Sequence, residues 1–290
     1  MILPIMAYLD HVAACNAHDI TRFRPFMVER RHVGWVRHDT ARRLAAFPDT
    51  FRVGDDAVAL HPRLDTPDAR SAALDEACAA LHREWAYPRL RGERFIVGPG
   101  WGQAPLATID RGHASVFGVR AYGVHVNGFV RGADGALALW VARRAADKPV
   151  APGKLDNMIA GGQPAGLGLL DNLVKEAHEE ADVPEALART ARPVGLVSYV
   201  MEDEWGLKPD TMFCFDLELP ADFTPHPRDG EAEHFVRMPV AEVARLVRDT
   251  DQFKFNVNLV ILDFLIRRGV LTPDTDPDYA AICQGLRKGW

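Results

Sequence analysis

Glu176, Glu179 and Glu180 are the residues whose type and spacing best suit chemistry in this chain. On a helix, at about 100° per residue, they fall within about a third of the circumference. Leu170, Leu173, Val174, Ala177 and Ala181 fall on a neighbouring face and would anchor such a helix in a core. Like charges at i and i+4 cost a helix a few tenths of a kcal/mol, roughly. A hard cation such as Mg2+ or Mn2+ offsets that cost and prefers oxygen ligands. A bare ExxEE pattern equally describes a solvated acidic face, so the surroundings decide. Here a Gly161-Gly162 turn precedes the helix, and an apolar strand at 155–160 precedes the turn.

Strand, glycine turn and acidic helix in that order resemble the signature of the Nudix hydrolases. That signature runs from a Gly through a Glu to Arg-Glu-apolar-x-Glu-Glu-x-Gly-apolar. Gly161 opens it here, Lys175-Glu176-Ala177-His178-Glu179-Glu180 fills its centre, and Val183 closes it. Leu167 stands where the family has its first Glu, Lys175 replaces Arg, and Asp182 replaces the last Gly. Lys keeps the charge of Arg and loses its planar fork. The resemblance implies metal ligation by Glu176, Glu179 and Glu180, with Gly161, Gly162 and Lys175 supporting. The phrases LDNMIAGG, LVKEAHEEA, DGEAEHF and FKFNVNLVILDFLIRRG, with GWV and YGVHVNGFV, resemble one branch of the family. It comprises relatives of the Nudix portion fused to thiamine pyrophosphokinase in fungi. That resemblance implies hydrolysis of thiamine diphosphate or of its oxidised, damaged analogues.

A second pair, Glu231 and Glu233, follows the turn Asp229-Gly230. Two residues apart on an extended backbone, both would point to one side. Nudix enzymes often draw a further Glu from such a place as metal ligand or general base. Glu231, nearest the turn, is slightly favoured; the sequence does not choose between them. Together Glu176, Glu179, Glu180 and Glu231 or Glu233 would hold divalent ions against a diphosphate, and Glu179, Glu180 or Glu231 would serve as catalytic groups.

The elements that must position these residues read as two parts. Residues 1–115 suggest an α+β extension, with amphipathic segments MAYLDHVAACNAH and SAALDEACAALHREW and strand candidates HVGWVRH and FRVGDDAVAL. The Pro/Gly-rich stretch 97–107 suggests a linker. Residues 116–290 contain a strand pair joined by Gly132-Ala133-Asp134-Gly135, the signature, strands near 194–201 and 211–219, and closing helices at 240–248 and 256–268. That order suits an α/β class, specifically an α/β/α sandwich around a mixed sheet.

A chain of 290 residues with 48% hydrophobic and 26% charged residues is ordinary for a globular enzyme. Its net charge of −6 argues against nucleic acid as the main partner. An arginine-rich run at 22–43 reads as solvated surface. Four cysteines without CxxC spacing suit a reducing cytoplasm. The N-terminus lacks a basic n-region, and the apolar run 257–266 is too short for a membrane span and carries Asp263. No phosphate loop, dinucleotide fingerprint or GxSxG elbow occurs. His178, in a near miss to HExxH, reads as an exposed helix residue. Trp35, Trp85, Trp101 and Trp205 are candidates to stack on a ring, though each equally suits a core. The expected partner is a small-molecule diphosphate, and the resemblance also admits a homodimer. Two further functions stay open: hydrolysis of nucleotide diphosphates such as ADP-ribose, and a sensor that binds without turnover.

Overall fold

Helix α1 (Tyr8–Cys15) is followed by β1 (Phe23–Val28), β2 (Arg31–Arg37), α2 (His38–Leu44), β3 (Phe51–Val53) and β4 (Val58–Leu60). The computed structural model describes residues 7–289; residues 1–6, part of the stretch read above for a leader, lie outside them. These strands form a sheet in the order β2-β1-β4-β3. Helix α3 (Pro67–Trp85) starts where Thr66 accepts from the Ala69 amide at 3.2 Å and Pro67 fills the first turn. It buries Leu74, Ala77, Cys78 and Leu81 in one core with Phe26, Phe51 and Phe117. Strands β5 (Arg94–Val97) and β6 (Ala107–Asp110) pair antiparallel. The stretch 97–107 is therefore mostly the loop of a hairpin, not a linker. Its Leu106 amide donates back to Val97 at 2.9 Å.

The main sheet comprises β7 (Ala121–Arg131), β8 (Leu137–Arg144), β9 (Leu155–Asp156), β10 (Ile159–Gly162), β11 (Arg192–Glu202), β12 (Leu207–Glu218) and β13 (Ala232–Pro239). Its order is β11-β12-β7-β8-β13, with β10 on β7 and β9 on β8. β7 and β12 run parallel and the other pairs antiparallel, so the sheet is mixed. The apolar run at 155–160 is two short strands, not one. β7 and β8 pair only over 129–131 and 137–139, so the segment must change partner where they diverge.

Helix α4 (Leu169–Ala181) covers one face, burying Leu173, Ala177 and Ala181 against Val124, Val126 and Ile159. Leu170, expected inside, is 39% exposed. Contact with the sheet follows the single i, i+4 line 169-173-177-181, and position 170 falls off it. A short helix α5 (Glu185–Ala188) follows. The opposite face carries α6 (Val240–Asp249), α7 (Val257–Arg267) and α8 (Tyr279–Gly285). Every residue of α7 from Val257 to Leu265 is buried. Each fully buried Leu, Val or Phe there contributes about 1.5–3 kcal/mol. The layers are those of an α/β/α sandwich. The sequence boundary at 115/116 is not a boundary in space for α1, because Tyr8, Val12 and Cys15 pack with α7 and α8.

Candidate active site

Helix α4 begins at Gly168 and ends at Asp182, whose backbone is left-handed with φ of 53°. The family pattern has Gly at that place, where a side chain costs strain. Asp182 tolerates it, and its carboxylate accepts from Arg228 at 2.8 Å. The helix is moored to the turn before it: Asn172 Nδ2 donates to the Gly162 carbonyl at 2.9 Å.

Gly161 is where absence of a side chain matters most. A Cβ there would lie 2.3 Å from the Glu176 carboxyl carbon, so Glu176 reaches the sheet only across a glycine. Glu180 turns inward as well, its Oε2 accepting from the Ala160 amide at 2.8 Å. Desolvation pushes the Glu180 carboxyl well above the usual range; the Ala160 hydrogen bond opposes, and the charges of Glu176, Asp156 and Glu231 add to the rise. Glu176 is raised too, by burial first, against the nearby Lys175 charge. Glu179 stays half-exposed and accepts from Lys175 Nζ at 2.7 Å. Lys175 also reaches Glu176 at 3.2 Å. Burial opposes its charge, yet the Glu179 hydrogen bond and the Glu176 charge outweigh that and raise its pKa.

A cleft beside Glu180 is lined by Arg144, Asp156, Asn157, Ala160 and Glu231. Glu231 is exposed and pairs with Lys148 at 2.6 Å. Glu233 does not line this cleft. The expectation that both point one way fails because β13 pairs with β8 through a bulge: Ala232 faces Arg144, His234 faces Arg143, and Glu233 is the extra residue. His178 is exposed, its ring 3.1 Å from Arg228.

Three contributors were not anticipated. Asp156 is 4% exposed and is held by Arg144 at 2.6 Å and Lys254 at 3.5 Å. Burial opposes its charge, but Lys254 and Arg144 prevail and lower its pKa. A charged residue within an apolar strand was the available signal. Glu93 and Phe95 approach Gly162, at 3.8 and 3.0 Å from where its Cβ would stand. Nothing in the local sequence of the N-terminal part announces that approach.

The donor chemistry fits a hard divalent cation: Glu176, Glu180 and Glu231 offer only oxygens, and the charges of Glu176, Asp156 and Glu231 bear on Glu180. Among the described residues no three carboxylate, His or Cys side chains stand at coordinating geometry, and Lys175 and Lys148 take up carboxylate oxygens instead.

A strand, a glycine turn and a helix that bring carboxylates together make the arrangement expected of a Nudix-type site. Comparison with known proteins agrees. Nudix hydrolase 24, chloroplastic, of Arabidopsis thaliana is 38% identical over 289 residues, covering 98% of this chain and 79% of that protein. Nudix hydrolase 20, chloroplastic, of the same plant is 36% identical over 294 residues, covering 98% and 78%. This chain belongs to the Nudix hydrolases, enzymes that cleave pyrophosphate bonds and generally use divalent metals. Residues 7–121 match the family model described as a domain of unknown function, DUF4743. The NUDIX domain of Shewanella oneidensis NrtR complexed with ADP ribose is similar over 52% of this chain and 90% of that one, at 15% identity and a TM-score of 0.41.

Proposed function

We propose that this chain is a divalent-cation-dependent hydrolase of thiamine diphosphate or its oxidised analogues, releasing the monophosphate and phosphate. The observation that carries the hydrolytic part is the buried Glu180 carboxyl, which shares a cleft with Glu231 and Asp156 and feels the charge of Glu176 as well. The substrate rests on the sequence resemblance of the segments around 155–162, 229–235 and 253–269 to the thiamine-linked branch.

Glu176 and Glu180, with Glu179 or Glu231, would hold Mg2+ or Mn2+. When bound, the cation neutralises diphosphate oxygens and lowers the pKa of a coordinated water. Lys175 keeps Glu176 and Glu179 oriented on the helix. Glu231 takes the proton of the attacking water, with Lys148 Nζ 2.6 Å from its carboxylate. Water attacks a phosphorus, the bridging P–O bond breaks, and the bridging oxygen leaves on the monophosphate. Four free cysteines, of which Cys15, Cys78 and Cys214 are buried, support a reducing compartment such as the cytoplasm. No helix among the described residues is long and apolar enough to cross a membrane.

The test is product analysis with Mg2+ or Mn2+ over thiamine diphosphate, its oxo and oxy analogues, ADP-ribose and ADP. Thiamine monophosphates formed fastest are the expected outcome. Turnover of nucleotides alone would discard the thiamine assignment, and binding without turnover would make the chain a sensor.

A further inference from the structure

Trp101 is 43% exposed at the tip of the β5–β6 loop, and this loop carries it onto the main sheet. Its ring centroid lies 5.0 Å from Tyr122 and 4.7 Å from Phe213. Tyr122 and Phe213 stack at 6.0 Å with 14° between their planes. The register explains how they meet. Tyr122 on β7 stands opposite Thr211 on β12, and Phe213 stands opposite Val124, so the two rings are diagonal neighbours on one sheet face.

That face is also the face of the acidic cluster. Val124 pairs with Gly161, over which Glu176 lies. Tyr122 is two residues from Val124, about 7 Å along the strand. The Tyr122 carbonyl accepts from Gln163 at 2.8 Å, which fixes the panel to the signature loop itself. On the far side of Gly162 stand the Phe95 ring and the Glu93 carboxylate. A large apolar ring left near half exposed, tilted against two others on the sheet face that carries Glu176, is poised for a planar ligand. Positive charge also stands close by, the Arg120 guanidinium lying 3.7 Å from where a Cβ of Gly100 would be, so the panel selects for flatness rather than for charge.

We propose that Trp101, Tyr122 and Phe213 seat the organic half of the substrate. The class selected is a flat heteroaromatic ring, whose diphosphate then extends over Glu176 and Glu180. The N-terminal part is thus the ring reader and α4 the diphosphate reader. This assignment rests on the proposed hydrolytic function, and binding of products separates the two.

The experiment is calorimetric binding of thiamine monophosphate, AMP and isopentenyl monophosphate to the full chain with Mg2+, for wild type, Trp101→Ala and Trp101→Phe. Thermal unfolding of each variant accompanies it. Thiamine monophosphate should bind best to wild type, and Trp101→Ala should weaken it about tenfold, the scale of one aromatic stacking contact. Isopentenyl monophosphate should change less than twofold, and Trp101→Phe should restore most of the loss. KM for thiamine diphosphate should rise in parallel with kcat changed less than threefold. Equal weakening of all ligands would make Trp101 a loop anchor and overturn the proposal, as would no weakening at all. Ring-selective binding without any hydrolysis would remove the proposed function and leave the panel standing. Hydrolysis of thiamine diphosphate indifferent to Trp101 would do the reverse.

Discussion

Two helices on opposite faces of the main sheet each take carboxylates out of water, and they treat them in opposite ways. On α7, Asp263 is 1% exposed and accepts from Arg267 at 2.7 Å and Arg287 at 2.6 Å. Next to it Asp216, 5% exposed, is shared by Arg267 and Arg268, each at 2.7 Å. On α4, Glu180 has one main-chain amide and three other carboxylates for company. Asp263 and Asp216 are saturated and structural. Glu176 and Glu180 are left with raised pKa values; Lys175 pairs with Glu176, and Glu180 has no cationic partner among the described residues. Strongly perturbed groups converging on a cleft mark function, whereas buried carboxylates with dedicated arginine partners mark folding.

The largest effect that breaks or confirms this contrast is at Glu180. Glu180→Gln should lower kcat by about 10²–10³-fold, the scale of losing one preorganised electrostatic group. The metal-free variant should unfold at the same temperature or higher, because the substitution removes an uncompensated charge and keeps an acceptor for the Ala160 amide. Near wild-type turnover would sink the site, and a large loss of stability would sink the contrast.

Asp263→Ala should behave in the opposite sense. Removing Asp263 costs up to about 3–5 kcal/mol, since Arg287 loses this partner and Arg267 keeps only Asp216. Urea titration should show that loss while kcat per folded molecule stays within about twofold, α7 lying across the sheet from the cleft. If Asp263→Ala abolishes catalysis without destabilising, the two helices have been assigned the wrong way round.

Between the helices runs a chain of polar groups inside the sheet, and it shows how far sequence reading reaches. His125 Nδ1 donates to Asn157 Oδ1 at 2.9 Å, Asn157 Nδ2 to Asn127 Oδ1 at 3.1 Å, and Asn127 Nδ2 to Asp216 Oδ1 at 3.1 Å. Helix α4, the closing helices α6 and α7 and the α/β/α class were legible, because apolar periodicity and turn residues act locally; the strand order and α8 were not. The Gly161–Glu176 fit was legible as a motif only; its cause, a carboxyl seated on bare backbone, is tertiary. Glu93, Phe95 and Asp156 were not read as site residues. Glu93 and Phe95 reach Gly162 through the β5–β6 hairpin, and Asp156 through a strand that changes partner. Glu231 and Glu233 were inseparable in sequence because a one-residue bulge, invisible in the pattern, decides their directions.

Acidic pH sharpens the comparison by adding groups that folding keeps neutral. Burial lowers both His113 and His125 to about 4 from an ordinary 6.5, with nearby Lys254 assisting at His125. The unfolded chain takes up these protons as pH falls past 6.5, and the folded chain refuses them until about 4. Their stabilisation is therefore fully present above 6.5 and lost between 6.5 and 4. Each histidine steepens that loss by up to about 1.4 kcal/mol per pH unit inside the window. His113→Phe should flatten the fall in stability between pH 7 and 5, measured by urea midpoints. An unchanged slope would mean that His113 titrates normally in the folded chain.

The smallest effect lies at the end of α4, where Asp182 holds a left-handed conformation that the family assigns to glycine. Asp182→Gly relieves about 1 kcal/mol of backbone strain at most, and Asp is among the residues that tolerate that region best. It also removes the Arg228 pair, whose partners are 48% and 45% exposed, an interaction of about 0–1 kcal/mol. The two nearly cancel, so stability in low salt should change by less than about 0.5 kcal/mol. Salt screens the ion pair and leaves the strain. Asp182→Gly should therefore become the more stable form as ionic strength rises, while turnover stays the same. Destabilisation that persists at high salt would show that Asp182 contributes more than a cap, placing the helix end among the parts of α4 that function has shaped.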